Sequence, residues 1–224
     1  MLSFDKIVTA GCSFTYGKGL ADPVTQSWPG QLSEIIGIPA INLGTPAAGN
    51  QYITRRIVEH ESEHELDNAV VIIAWSHWHR VDFCDQYGKV HHMVPNARDS
   101  GPFVDQIFTE YYNKDYLYQR YLITITMMQS FLDHKRVPYL MFDALNGLHN
   151  GEYMSNATAR NLSRRIDTER FIGFGKGNFD SWTDASDRLA CGHPNAKAHA
   201  QMAKLLEREL INRYAKDDTN GNDY

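Results

Sequence analysis

Ser13 lies in the stretch Thr9-Ala-Gly-Cys-Ser-Phe-Thr-Tyr-Gly-Lys-Gly19, directly behind the apolar pair Ile7-Val8. Two chemistries compete for such a segment. A phosphate-binding loop needs Gly, four residues, Gly, Lys and then Ser or Thr, because its backbone N–H groups wrap the phosphates and its last hydroxyl holds magnesium. Counted back from Gly17-Lys18, the first glycine should fall on Cys12 but stands at Gly11, and Gly19 follows the lysine with no hydroxyl. The nucleotide chemistry fails on both counts. A serine at the end of a strand, where the chain turns into a helix, instead presents its hydroxyl with backbone N–H groups nearby, as a nucleophile requires. A serine in that place equally serves turn and cap hydrogen bonds, so the chemistry needs a partner.

That partner is found near the other end of the chain, in Cys191-Gly-His-Pro-Asn-Ala-Lys-Ala, where His193 and Pro194 precede a final amphipathic segment. An imidazole with an ordinary pKa of about 6.5 takes a serine proton and returns it to a leaving group near neutrality. Cys12, next to Ser13, should point to the opposite side as a buried thiol, and Cys191 reads as a loop residue. A competing motif is His60-Glu-Ser-Glu-His64, which matches the zinc pattern His-Glu-x-x-His, with Glu61 as base. Its neighbours are nearly all polar, which describes a solvated helix end better than a zinc helix packed on a core. The pairs His77/His79 and His91/His92 lack a third ligand at a known spacing.

Short apolar runs alternate with helical signals along the chain. Strands are expected at 6–10, 39–44, 69–76 and 137–143, with a further short one in Arg170-Phe-Ile-Gly-Phe174. The run Ala69-Val-Val-Ile-Ile-Ala-Trp75 has the continuous apolar character of a strand buried on both faces. Helices are expected at 27–37, with Ser27 as cap, Pro29 early and Gly37 at the end, then at 50–66, 110–134 and from 195 onward. Stretches 77–109 and 144–184 have no clean period and read as excursions that shape a pocket, with Trp78, Tyr87, Phe103 and Trp182 as aromatics that line it or pack it down. The pattern predicts a single α/β domain over 1–215 with a parallel sheet covered on both faces, its site beyond the carboxyl ends of the strands, and a frayed tail at 216–224.

The 224 residues are 42% hydrophobic and 22% charged, enough apolar material for one ordinary core. A net charge of −5 with scattered basic residues argues against nucleic acid as a partner. No apolar run spans a bilayer and no signal-peptide pattern opens the chain, so a cytoplasmic protein without a membrane partner is expected. The three cysteines, Cys12, Cys84 and Cys191, are widely spaced and expected to be reduced.

Taken together, Gly-x-Ser at the first strand, Asn-x-Gly with a further glycine after the second, and His-Pro-Asn before the last helix resemble the SGNH hydrolases, the GDSL esterases and lipases. The resemblance runs from Gly11 to the final helix, and Gly11-Cys-Ser-Phe-Thr15 is similar to the variant of many bacterial and phage members in which Cys replaces the Asp of Gly-Asp-Ser. It implies a three-layer, flavodoxin-like α/β/α fold and a metal-independent serine esterase without a cofactor, acting on a small-molecule or carbohydrate ester through an acyl-enzyme. It makes Ser13 the nucleophile, His193 the general base, and Ser13 N–H, Gly49 N–H and Ser76 the oxyanion donors. Ser76 stands where the family has an asparagine, and Ala190 stands where its acid precedes the histidine, so an acid displaced to Asp187 or Asp184, or a Ser-His dyad, is expected. A scaffold that has kept the fold as an attenuated binding protein is the alternative from another class, and a zinc enzyme using His60, Glu61 and His64 stands behind it.

Overall fold

Five strands form one parallel sheet in the order β2-β1-β3-β6-β7, made of β1 (Lys6–Gly11), β2 (Ala40–Asn42), β3 (Ala69–Trp75), β6 (Tyr139–Asp143) and β7 (Phe171–Ile172). This computed structural model describes residues 2, 4–94, 106, 110, 113–145 and 156–215. Phe103, Tyr111, Tyr112, the tail 216–224 and parts of both expected excursions lie outside the described residues.

Every residue of β3 is buried, and its side chains alternate between two cores. Val71, Ile73 and Trp75 join Val8 and Ala10 of β1 on the face covered by α4 (Asn50–His64) and α5 (Lys114–His134). Val70, Ile72 and Ala74 join Ile7 on the face covered by α3 (Trp28–Ile36) and α8 (Ala196–Tyr214). This is the three-layer, doubly wound α/β architecture, and its continuous apolar strands follow from burial on both sides.

The chain runs from β1 outward to β2 and then returns past β1 to β3, so the order reverses between β1 and β3. In such a sheet a crevice opens at the carboxyl ends of those two strands. Gly11 pairs with Ala74 in register, which puts Ser13 and Ser76 each two residues beyond the last paired positions. Gly37 closes α3 in the left-handed region as the sequence predicts, and Asn195 caps α8 by accepting from Ala198 N. Ser27 precedes α3 but makes no side-chain cap, and its hydroxyl is buried without a partner.

The stretch after β3 is more ordered than its composition suggests. Val81–Cys84 (β4) and Val90–Met93 (β5) pair antiparallel as a hairpin separate from the main sheet. The remaining helices are α1 (Ser13–Tyr16), α2 (Pro23–Gln26), α6 (Ala157–Ser163) and α7 (Phe179–Trp182), with a 3-10 turn at Ala185–Asp187.

Candidate active site

The end of β1 is built for a tight turn. A side chain at Gly11 would fall 2.1 Å from Thr15 Oγ1 and 2.9 Å from the Ala74 carbonyl, so only glycine fits between β3 and α1. Cys12 starts the turn and is fully buried as a free thiol, while Gly17 ends α1 at φ 84°. Ser13 opens α1, so its N–H has no partner within that single turn. The residue is only 5% exposed.

His193 is carried to Ser13 by a stapled loop. Asn195 N donates to the Asp187 carbonyl and Leu189 N to the His193 carbonyl, both at 2.8 Å, making a short two-sided turn that reverses at Gly192 with φ 82°. Arg188 holds it: Nη1 donates to Asp180 Oδ1 at 2.7 Å and Nη2 to the Asp180 carbonyl at 2.6 Å. Phe14 flanks the imidazole with ring centres 5.5 Å apart. His193 Nε2 stands 3.0 Å from Ser13 Oγ, so the serine O–H donates to it when the ring carries its proton on Nδ1. Burial and the Lys18 ammonium hold the His193 pKa below the ordinary imidazole value, against a smaller opposing influence of the Cys191 backbone. A second imidazole lies behind: Trp28 N donates to His199 Nδ1 at 3.1 Å, and burial, with His193 adding, drives His199 down to about 4.

His193 Nδ1 is buried, and among the described residues no side chain bonds to it; the Cys191 backbone is the group that favours its protonated form. Asp187 is also buried; its Oδ1 accepts from Lys197 Nζ at 3.0 Å and its Oδ2 has no partner. Asp184 is exposed and precedes the 3-10 turn. Among the described residues neither aspartate is bonded to the imidazole, so the geometry is that of a Ser13-His193 pair rather than a triad.

Of the expected oxyanion donors, Ser76 follows β3 with a fully buried hydroxyl that lacks a partner. Its backbone is clamped by Asn50, whose Oδ1 accepts from Ser76 N at 2.8 Å and whose Nδ2 donates to the Ser76 carbonyl at 3.1 Å. Gly49 departs from the expectation. Its N–H donates to Asp82 Oδ1 at 2.9 Å, and Asp82 Oδ2 also accepts from Tyr52 N at 3.2 Å, so a carboxylate from β4 occupies the amino end of α4. The Gly49 amide is committed, not free for an oxyanion. His92 Nδ1 lies 2.6 Å from the same carboxylate and ties β5 to it.

The zinc motif is divided by its helix. His60 is 8% exposed with Nε2 buried and unpartnered, which corrects the reading of a wholly solvated helix end, whereas His64 is exposed and Glu61 pairs with Lys135. Among the described residues no three His, Cys, Asp or Glu side chains gather as a metal site. The aromatics also sort out. Trp78 is buried against Tyr118, Tyr87 is 85% exposed, and Trp182 covers Gly173 and Gly177. A groove of about 830 Å³ starts instead at Tyr16, one turn beyond Ser13, and runs past Val24 and Pro29 to Asn42.

Over residues 19–218 the sequence matches the profile of a family described as a family of unknown function, DUF6071. The chain belongs to that family. The matched span takes in His193, Ser76 and Gly49 and begins after Ser13. No curated protein matches the sequence of this DUF6071 member. Among solved structures it is similar to the psychrotrophic esterase EstA of Pseudoalteromonas sp., at 13% identity, TM-score 0.54, 93% of this chain and 95% of that one. It is similar also to a GDSL-like lipase of Bacteroides thetaiotaomicron, at 14% identity, TM-score 0.50, 93% of this chain and 88% of that one. An acetyl xylan esterase of the rumen bacterium Butyrivibrio proteoclasticus has 14% identity and TM-score 0.55, over 95% of this chain and 64% of that one. At these identities the likeness establishes the fold, which is that of the SGNH hydrolases.

The Asp82 contact at the head of α4 and the Asn50 clamp on Ser76 are features that the sequence did not point to. Asn50 alone carried a signal, because it follows Gly49 directly. Asp82 sits in an irregular stretch, and its place at the head of α4 depends on the hairpin.

Proposed function

We propose that this protein is a metal-independent serine esterase that forms an acyl-enzyme on Ser13 with His193 as general base. The observation that carries the reading is the 3.0 Å approach of Ser13 Oγ to His193 Nε2 at the carboxyl edge of a parallel sheet. As Ser13 Oγ attacks the ester carbonyl, its proton passes to Nε2. The imidazolium then protonates the leaving alkoxide, and a water molecule deacylates Ser13 by the same route. The oxyanion is held by Ser13 N–H at the start of α1 and by the Ser76 hydroxyl, which has no partner among the described residues and so is able to donate. The substrate class is a small-molecule or carbohydrate ester.

With no acid on Nδ1, His193 depends for orientation on the turn that Arg188 and Asp180 hold. A low pKa compensates in part, because it keeps the base neutral. The test is hydrolysis of a short-chain aryl ester together with labelling by a neutral fluorophosphonate. Ser13→Ala and His193→Ala should each lose about 10³-fold or more in kcat, and Ser13→Ala should lose the label. Equal rates for wild type and Ser13→Ala would sink the esterase reading. One observation favours a second reading, an attenuated binding protein: the Gly49 amide is occupied by Asp82. That reading expects substrate binding without turnover.

A further inference from the structure

Five residues leave the carboxyl end of β3 in the order Ser76-His-Trp-His-Arg80 and carry an arginine to the edge of the crevice. The segment is firmly held. Trp78 is buried against α5, Arg80 N donates to the His77 carbonyl at 3.1 Å, and Arg120 Nη2 of α5 donates to the Arg80 carbonyl at 3.1 Å. That carbonyl lies beside Gly49 at the head of α4, where a Cβ would meet it at 3.1 Å. The backbone is therefore fixed on two sides. The guanidinium is not: Nε and Nη1 are buried and, among the described residues, find no acceptor.

Arg80 is partly buried, and burying two of its guanidinium nitrogens without an acceptor is costly, so folded proteins ordinarily pair such donors. Among the described residues no carboxylate bonds to it, and the carboxylates around the site each hold another partner through at least one oxygen. Asp82 is held by Gly49 N, Tyr52 N and His92, Asp180 by Arg188, and Asp187 by Lys197. His77 and His79 stack at 3.6 Å and stay neutral, lowered to about 3 and about 4 by burial first and by nearby positive charge second. Lys18 is exposed on the α1 side and, among the described residues, forms no ion pair. Both Lys18 and Arg80 act on His193 as positive charges. In a chain with a net charge of −5, Lys18 and Arg80 thus stand near His193 with no ion pair to a carboxylate among the described residues, Asp180 opposing them only at a distance.

We infer that Arg80 is the receptor for an anionic oxyacid group, a carboxylate or a phosphate, carried by the ester on which Ser13 acts. The inference rests on the esterase reading for its position, and its chemistry is that of guanidinium donors offered to oxyanions. Lys18 adds long-range attraction from the open side, so the preference should weaken with salt.

Two pairs of esters test it. The first compares 4-nitrophenyl hydrogen succinate with 4-nitrophenyl butyrate, and the second 4-acetoxyphenyl phosphate with phenyl acetate. Wild type should favour the anionic member of at least one pair by about tenfold or more in kcat/KM, and the pair that responds distinguishes carboxylate from phosphate. Arg80→Gln should abolish the preference and Arg80→Lys should retain part of it. The Gln variant should also melt no lower than wild type, because it removes buried donors that have no partner. A clearly lower melting temperature would make Arg80 a structural residue and overturn the inference, as would an absence of preference in both pairs. Titrating the Ser13→Ala protein with succinate and with inorganic phosphate separates this from the esterase reading. Binding that Arg80→Gln removes upholds the anion receptor even if Ser13 takes no fluorophosphonate. Labelled Ser13 with no anion binding and no preference leaves the esterase standing and removes the receptor.

Discussion

Lys18 acts on His193 from outside the crevice, and its consequence is a pH profile. A base works when it is neutral, and a depressed pKa keeps His193 neutral further into acid. The acid limb of kcat/KM should therefore lie below the ordinary imidazole value. Lys18→Met removes a cation that disfavours the protonated ring, so His193 should protonate more readily and the limb should move to higher pH, read from a pH–rate profile on a neutral aryl ester. A limb that stays in place would mean that burial alone sets the base. Asp187 supplies a second test at this scale. Its unpartnered Oδ2 and the unpartnered Nδ1 of His193 belong to facing arms of one turn, yet no hydrogen bond joins them. The dyad geometry predicts that Asp187→Ala keeps kcat/KM within about threefold, whereas loss of an acting acid costs up to about 10⁴-fold. A loss of a hundredfold or more in steady-state kinetics would make Asp187 the acid.

At the scale of elements, the decisive contact is between a hairpin and a helix end. Asp82 of β4 receives two amides at the start of α4, where the aligned peptide dipoles favour negative charge, and it is joined there by His92 of β5. The carboxylate thereby caps α4, docks the hairpin and commits the Gly49 amide at once. Asp82→Ala should cost about 1–2 kcal/mol of stability in urea unfolding, the scale of a lost cap with its charge. It should also raise kcat on an aryl ester several-fold, because the released Gly49 N–H becomes available to the oxyanion. Unchanged kcat in a folded variant would remove Gly49 from the donors altogether. The hairpin was not legible in the sequence for a physical reason. Val81–Cys84 and Val90–Met93 are short, largely half-exposed and rich in polar side chains, so neither shows an apolar run nor a clean alternation. β1, β3 and β6 were legible because burial on both faces writes an uninterrupted apolar run.

At the scale of the molecule, the order of strands brings the two ends of the chain together. Ser13 and His193 were readable as a pair through motif resemblance, whereas Arg80 was not. The meaning of Arg80 lies in the partners it lacks, which only a folded neighbourhood reveals. The same holds for Ser27, read as a cap and found with a buried hydroxyl close against Gly17, a neighbour that only the fold supplies. Ser13 and His193 stand 180 residues apart, and the next long tie, Trp28 N to His199, spans 171. During synthesis at about 5–20 residues per second, roughly ten to forty seconds separate the emergence of the serine from that of its base. Through that interval Ser13 lacks the His193 imidazole that stands 3.0 Å away in the folded chain. On the esterase reading, hydrolysis waits for α8 to dock, so turnover would report that the two halves of this sheet have been brought together.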